Sequence, residues 1–314
     1  MSGARRPRAV TIEARAKLNL GLVVGPKRGD GYHDLVSVFQ SISLADTLEA
    51  RRTARGFTLS LRHAAAAFRG GAGAAREPIP AGADNLVLRA ARLVHERLGL
   101  PGGAAFRLTK RIPSQAGMGG GSADAAAAIA AVLSLHGVRL PLADWLALAL
   151  ELGSDVPFSV FGGTALGLGR GERLTRLFLS APFRAVVAMP DWQVSTGAAF
   201  ARVDKAKYTL THWKSTLRLA ASLGRKRVTP TSRRRLGNSF EQALGPRRRD
   251  FESLCERLRA AGVLEPRLTG SGSAVFGILP KGIAVRAVAD RFIGSERLYA
   301  VRSVGSGLQL RTQP

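Results

Sequence analysis

Residues 112–128, IPSQAGMGGGSADAAAA, concentrate main chain that can meet an anion. Gly117, Gly119, Gly120 and Gly121 lead directly into an Ala-rich run. Glycine lets the backbone approach phosphate oxygens and take positive φ. The first turn of a helix adds free N–H groups and a partial positive charge. A loop of this kind binds an anion without side-chain charge, and Ser122 adds a hydroxyl for a helix cap, a phosphate or its metal. Four glycines in five positions, 117–121, are costly for a mere connection, because each loses extra entropy on folding. The segment does not match GxxxxGK[ST], and no convincing GxGxxG follows a strand, which disfavours P-loop and dinucleotide folds. GLGRG at 167–171 is a weak look-alike.

Two charged residues stand out beside that loop. Lys17 sits in AKLNL between apolar strand residues, where a cation is expensive to bury without an anion. Asn19, two residues on, shares its strand face. Asp155 lies in LGSDVPF, at a tight bend between Gly-Ser and Val-Pro. A helix N-cap or turn is the commoner use of a lone aspartate; a cleft carboxylate acting as a base is the alternative. TGSGS at 269–273 is a second glycine turn, which can bring backbone to an anionic ligand or to the first loop, or serve as a plain hairpin turn.

These residues need a sizeable scaffold. The chain has 314 residues, 46% apolar, with 36 glycines and few aromatics, so closely packed helices are expected. The formal net charge of +25 attracts phosphates, nucleic acids or anionic membranes, or reflects an Arg-rich genome. No apolar run is long enough for a transmembrane helix, and the basic N-terminus lacks the apolar stretch of a secretory signal. It is read as a short flexible arm. The single cysteine, Cys255, fits a reducing compartment. The dispersed histidines and lone cysteine give no zinc site.

Periodicity predicts strands within 8–24 and 34–62, with GPKRGDGYHDL between them as a loop. Residues 63–83, rich in Ala, Gly and Pro, read as a loop insertion or disordered tip. Helices are expected at 85–98, capped by Asp84 or Asn85, at 122–136, apolar almost all round and therefore buried, and at 142–152. A strand at 104–110 separates the first two. A strand at 185–190 opens a second domain, followed by a helix at 251–261, a strand–turn–strand at 267–279, a helix at 281–292 and a last strand at 299–304. Strands and helices without steady βαβ alternation indicate an α+β fold. Residues 225–249 carry nine Lys and Arg against Glu241; a solvated loop is the preferred reading over an RNA contact, because few aromatics interleave the arginines.

The glycine segment, with Pro113, Gly117, Met118, Gly119, Gly120, Gly121 and Ser122, resembles the ATP-phosphate loop of the GHMP kinases. That family usually has Leu where Met118 stands and often a second Ser near Ala123. AKLNL with GDGYHDL, LGSDVPF and LTGSGSAVF resemble three further motifs of the family, in its order. The pair Tyr32-His33 is similar to the branch whose acceptor is a cytidine diphosphate alcohol.

The resemblance implies a two-domain fold, with a ribosomal protein S5 domain 2-like unit over 1–180, a ferredoxin-like α/β unit over 181–314, and the active site in the cleft between them. It implies ATP as phosphoryl donor, with Mg²⁺ leaning on its phosphates rather than on a ligand cluster. Asp155 becomes the base and Lys17 its partner, steadying the developing alkoxide, and the two are expected in contact. Asn19 would hydrogen-bond the reacting diol. Tyr32 would stack on cytosine, His33 would read its polar edge, and Phe200 would supply the opposite face. Asn85 and Lys110 would lie on the adenine side, or else be a helix cap and a solvated strand end. Thr269, Gly270, Ser271 and Gly272 would meet the acceptor's diphosphate. The expected protein is a cytoplasmic monomer or homodimer with a small-molecule substrate and neither nucleic acid nor membrane as partner. Another GHMP kinase, for homoserine, mevalonate or a sugar, is the alternative; a basic nucleic-acid binder is a remote one.

Overall fold

The computed structural model describes residues 7–64, 66–69, 82–205, 227–230 and 235–313. The chain begins with a long antiparallel hairpin, β1 (Ala9–Lys27) and β2 (His33–Thr53). The first half of β1 alternates, with Val10, Ile12 and Ala14 turned inward, while residues 16–24 are buried on both faces. A lysine at position 17 is therefore enclosed whichever way it points. The loop expected across GPKRGDGYHDL shrinks to residues 28–32, closed by Arg28 N–H donating to the Tyr32 carbonyl at 2.6 Å. The ladder runs on past the apolar pattern, because backbone pairing needs no apolar side chain.

β3 (Phe57–His63) runs parallel to β4 (Gly103–Lys110), which pairs antiparallel with the second half of β2. The first half of β2 pairs with β5 (Thr164–Leu168), followed by β6 (Arg173–Leu179). GLGRG is the turn between β5 and β6, with Gly169 and Gly171 at positive φ, and not a nucleotide motif. Helices α1 (Leu86–Leu98), α2 (Gly120–His136), α3 (Leu142–Leu152) and α4 (Val156–Phe161) complete this half. Asn85 caps α1 through its side chain, accepting from Val87 N–H at 2.9 Å. The alanines of α2 let α1 and the sheet approach closely, and the run Ala123–Leu133 is buried throughout. That helix starts two residues earlier than expected, so Gly120 and Gly121 form its first turn.

The second sheet has the order β11-β7-β10-β9, from β7 (Arg184–Met189), β9 (Leu264–Leu268), β10 (Val275–Leu279) and β11 (Arg297–Arg302). It packs with α5 (Thr196–Lys205), α6 (Ser239–Gln242), α7 (Arg248–Ala260) and α8 (Val285–Arg291); Phe251, Leu254 and Leu258 of α7 meet Val186, Ala188 and Val275. The helix expected at 281–292 is shorter, because Gly282 takes φ +82° in a turn ahead of it. A two-residue strand, β8 (Arg227–Val228), pairs with β6.

Two features tie the halves together. Leu18, Leu20, Val36 and Val38 share one core with Ile112, Met118, Val187, Phe276 and Tyr299. The strand at the end of the second sheet is also not the last. β12 (Leu308–Gln313) returns to the first sheet and pairs antiparallel with β1, from Ala9 opposite Gln313 to Ala14 opposite Leu308. A boundary at 180/181 therefore leaves the C-terminal strand on the wrong side of the division. The expected N-terminal arm lies outside the described residues up to position 6, and so does most of the 63–83 insertion. Its start is placed: Phe68 packs in the second core, and Phe68 N–H donates to the Leu298 carbonyl at 2.9 Å.

Candidate active site

The glycine loop and the TGSGS turn lie against each other. Gly117 has φ +72°, and a Cβ there would fall 2.1 Å from the Thr269 carbonyl oxygen; a Cβ on Gly270 would fall 2.9 Å from Gly117 Cα. Only two glycines allow this approach of backbone to backbone. Asn238, ahead of α6, holds the second turn from below by donating from Nδ2 to the carbonyls of Leu268 (3.0 Å) and Gly270 (2.9 Å).

Two cavities adjoin at the loop. One, of about 550 Å³, is lined by Asn85, Lys110, Pro113, Gly119, Gly120, Gly121 and Ser122 among others. The other, of about 930 Å³, contains Lys17, Asp155, Tyr32, His33 and Phe200. Gly117, Gly119 and Ser122 belong to both walls. The loop thus separates a space beside its helix N-terminus from a larger space facing the acid–lysine pair.

Lys17 Nζ lies 3.5 Å from Asp155 Oδ2 and donates to Asn19 Oδ1 at 2.6 Å. The expected contact is present. The aspartate stands at the N-terminal position of α4, yet its side chain makes no capping bond. Its carboxylate is 40% exposed and faces the cavity, whereas the lysine side chain is 7% exposed. Main-chain bonding places the lysine, Lys17 N–H donating to the Met118 carbonyl at 3.0 Å, so strand and glycine loop are stitched together next to the pair.

Several of the expected site residues also make contacts within the protein. Asn19 is buried at the wall of the larger cavity, accepts from Lys17 and donates from Nδ2 to Ser37 Oγ at 2.8 Å, so it orients the lysine. Thr269 is fully buried, its Oγ1 accepting from Asn19 N–H at 3.1 Å. Unlike Gly270, Ser271 and Gly272, it does not line the cavity. The Met118 side chain is buried in the shared core and leaves only main chain toward the loop. Asn85 is the cap of α1 as well as part of the smaller cavity's wall.

Lys110 is not a solvated strand end. It is buried with Asp46 and Asp124, bonded to Asp46 and lying 2.6 Å from Asp124 Oδ2. Asp46 also accepts from the N–H groups of Arg111 and Ile112, so the triad fixes the chain just before the glycine loop. Burial pushes the Asp124 carboxyl well above its ordinary range, against the pull of Lys110 and with the push of Asp46. Burial opposes the charge on Lys110, but the two carboxylates outweigh it and raise its pKa. One cation between two acids leaves one acid underpaired, and Asp124 Oδ1 has no partner among the described atoms.

In the larger cavity Tyr32 is half exposed with Arg170 over its ring, 4.5 Å from guanidinium to centroid. His33 is buried, and Phe200 stacks on it rather than opposite Tyr32, with centroids 5.3 Å apart at 28°. Arg170, Asp204 and Asn238 escaped sequence reasoning; a residue in a hairpin turn, one near a helix end and one in the polar stretch carry no motif. Of the basic stretch, Arg227, Arg235 and Arg249 are exposed, while Arg247 and Arg248 pair with Asp250 (3.1 Å) and Glu252 (2.8 Å). Arg225, Lys226, Arg233 and Arg234 lie outside the described residues. Burial pushes the Cys255 thiol up to about 12, so it is an unreactive core residue.

Residues 85–163 match the GHMP kinases N terminal domain. Over 284 residues the chain is 39% identical to the 4-diphosphocytidyl-2-C-methyl-D-erythritol kinase of Pelotomaculum thermopropionicum, covering 90% of this chain and 93% of that one. The protein of the same name from Moorella thermoacetica is 36% identical over 90% of this chain and 94% of its own length. A crystal structure of 4-(cytidine 5'-diphospho)-2C-methyl-D-erythritol kinase matches with TM-score 0.70 at 35% identity, covering 94% of this chain and all of that one. The homoserine kinase of Cytophaga hutchinsonii, at 17% identity and TM-score 0.71, shares the fold.

Proposed function

The chain belongs to the 4-diphosphocytidyl-2-C-methyl-D-erythritol kinase family of GHMP kinases, and on that premise we propose that it phosphorylates the C2 hydroxyl of that cytidine diphosphate alcohol. It is an ATP-dependent small-molecule kinase. The reaction would be a step of the methylerythritol phosphate route to isoprenoid precursors, in the cytoplasm, where a single free thiol is stable.

The observation that carries this reading is the Lys17–Asp155 pair, 3.5 Å apart, in the cavity whose wall is the glycine loop. Bound ATP supplies the γ-phosphoryl group. Main-chain N–H groups at the start of α2 hold its phosphates, in a cradle that side chains would fill: a Cβ on Gly119 would lie 3.2 Å from Lys17 Cγ, and one on Gly120 3.0 Å from Ile112 Cγ2. Asp155 takes the proton of the acceptor hydroxyl as its oxygen bonds to phosphorus and the bond to the β-phosphate oxygen breaks, releasing ADP. Lys17, 3.5 Å from that carboxylate, offsets charge on the transferring oxygens. Asn19 holds the lysine, and Asp46 and Lys110 hold the strand end behind the loop. Mg²⁺ fits the donor set: Ser122 hydroxyl and Asp155 carboxylate are hard oxygens in one cavity. The ion would rest mainly on phosphate oxygens and neutralise them. The smaller cavity takes the nucleoside of ATP and the larger one the acceptor's cytidine beside Tyr32, His33 and Phe200.

A coupled ADP-release assay with the cytidine diphosphate alcohol tests this. Turnover is expected, with competition by CDP. Absence of turnover where a related kinase is active, or equal use of homoserine or mevalonate, overturns it.

A further inference from the structure

The short helix α4 carries Asp155 at its N-terminal end, and its other end is held by a residue outside every motif. Arg176, on β6, donates from Nη2 to the Phe161 carbonyl at 2.8 Å and from Nη1 to the Gly162 carbonyl. Its guanidinium also lies over the Phe161 ring, 3.9 Å from the centroid. The last carbonyls of a helix have no partner within it, and a cation there meets the negative end of the dipole. One planar fork thus closes two carbonyls and one ring face. Burial lowers the pKa of Arg176 and no carboxylate offsets that, so the helix end itself is what the guanidinium is placed to meet.

The backbone is shaped to admit it. A Cβ on Gly163, at φ +70°, would fall 2.5 Å from Arg176 Nη1. From the other side Gly163 N–H donates to Ser41 Oγ at 3.1 Å, and a Cβ on Gly307 would fall 2.1 Å from the Ser159 carbonyl oxygen. The C-terminal end of α4 is therefore fixed from β6, β2 and the approach to β12. The other end has no such clamp. The Asp155 side chain makes no capping bond, and Lys17 Nζ is 3.5 Å from it. The carboxylate takes its place from the backbone of α4, six residues and about 9 Å long. Two main-chain bonds run along it: Ser159 N–H donates to the Asp155 carbonyl at 3.3 Å and Gly162 N–H to the Phe158 carbonyl at 2.7 Å.

We propose that Arg176 is a positioning residue for phosphoryl transfer: by holding the C-terminal end of α4 it sets the reach of the Asp155 carboxylate toward the acceptor hydroxyl. This rests on the reading of Asp155 as the base. A misplacement of about 1 Å at the reacting centre costs on the order of a hundredfold in rate. Arg176 lines neither cavity, so its loss acts on the placed carboxylate and leaves the contacts that bind ATP and acceptor in place.

The test is a double-mutant cycle on the full-length protein, with Arg176→Met and Arg176→Lys each made in the wild type and in Asp155→Asn, assayed below the melting temperature of every variant. Arg176→Met should lower kcat about tenfold or more, with KM for ATP and acceptor within about twofold of the wild type. Arg176→Lys, which keeps the cation and reaches one carbonyl, should recover part of the loss. In Asp155→Asn the same changes should cost no further kcat, because the base they misplace is gone. Should the methionine variant not fold, the lysine variant carries the same comparison. Hydrogen exchange at the Ser159 and Gly162 amides, which needs no substrate, should quicken in the folded variants. An unchanged kcat, a loss of equal factor in both backgrounds, a loss confined to KM, or unchanged exchange overturns the proposal. The kinase reading fails separately: a wild type without turnover sinks it, and the exchange rates then still decide whether Arg176 holds α4.

Discussion

Lys17 holds its charge almost out of solvent, between the amide oxygen of Asn19 and the carboxylate of Asp155. Removing Asp155 as a base while keeping its shape isolates its chemistry. Asp155→Asn is expected to lower kcat by about two to four orders of magnitude with the melting temperature little changed, as read by ADP release and calorimetry. Lys17→Met should do the same to kcat, while Asn19→Ala should act through the lysine and cost less. Asp124 supports a prediction on stability instead. Its carboxyl is raised by burial above its ordinary value of 3.8, so the folded state holds a proton that the unfolded chain has released. Stability from this group is complete below that ordinary value and declines as pH rises through the raised folded one. Asp124→Asn should flatten the decline, measured by denaturant unfolding at a series of pH values; an unchanged slope would place the effect elsewhere.

At the scale of elements, the site is two turns pressed together and one helix end. A Cβ at position 117 would meet the Thr269 carbonyl oxygen at 2.1 Å, and that partner is backbone. Gly117→Ala should therefore destabilise by about 2 kcal/mol or more and weaken ATP binding at least tenfold, seen in unfolding and in nucleotide titration. Asn85→Ala removes the cap of α1, with an expected loss of about 1 kcal/mol. That helix was legible in the sequence because a capping residue and an apolar stripe coincide; the structure ends it at Gly99, in the left-handed region. The end of the first strand was not, since Gly25, Pro26 and Lys27 look like loop and still continue the ladder to His33.

For the whole molecule, the return of β12 to β1 joins the C-terminus to the first sheet. Truncation after Gly305 would bare the edge of β1, and an unpaired edge invites association with other chains. Such a protein should melt at lower temperature and form larger species in size-exclusion chromatography. The net charge of +25 draws anionic substrates at a distance, but the surface pairs of α7 contribute little. Arg248→Ala should change stability by no more than about 0.5 kcal/mol.

Local signals in the sequence determined the glycine turn, the buried Ala-rich helix behind it, the α+β class and an enclosed lysine at position 17, while Asp155 stood out as its partner only through the resemblance to a known family. Each depends on neighbours in the chain: glycine freedom, helical period, the cost of a cation among apolar strand residues. The tertiary structure alone decided which polar groups remain for a ligand. Thr269 is turned inward by a partner far along the chain, Asn19 is bonded to Lys17 and Ser37 at the cavity wall, Lys110 is paired with Asp46 and Asp124, and Arg170 and Asp204 are brought to the cleft from elements with no motif. Hydrogen-bond satisfaction is settled by whatever packs against a residue, and spacing in the sequence carries no record of that.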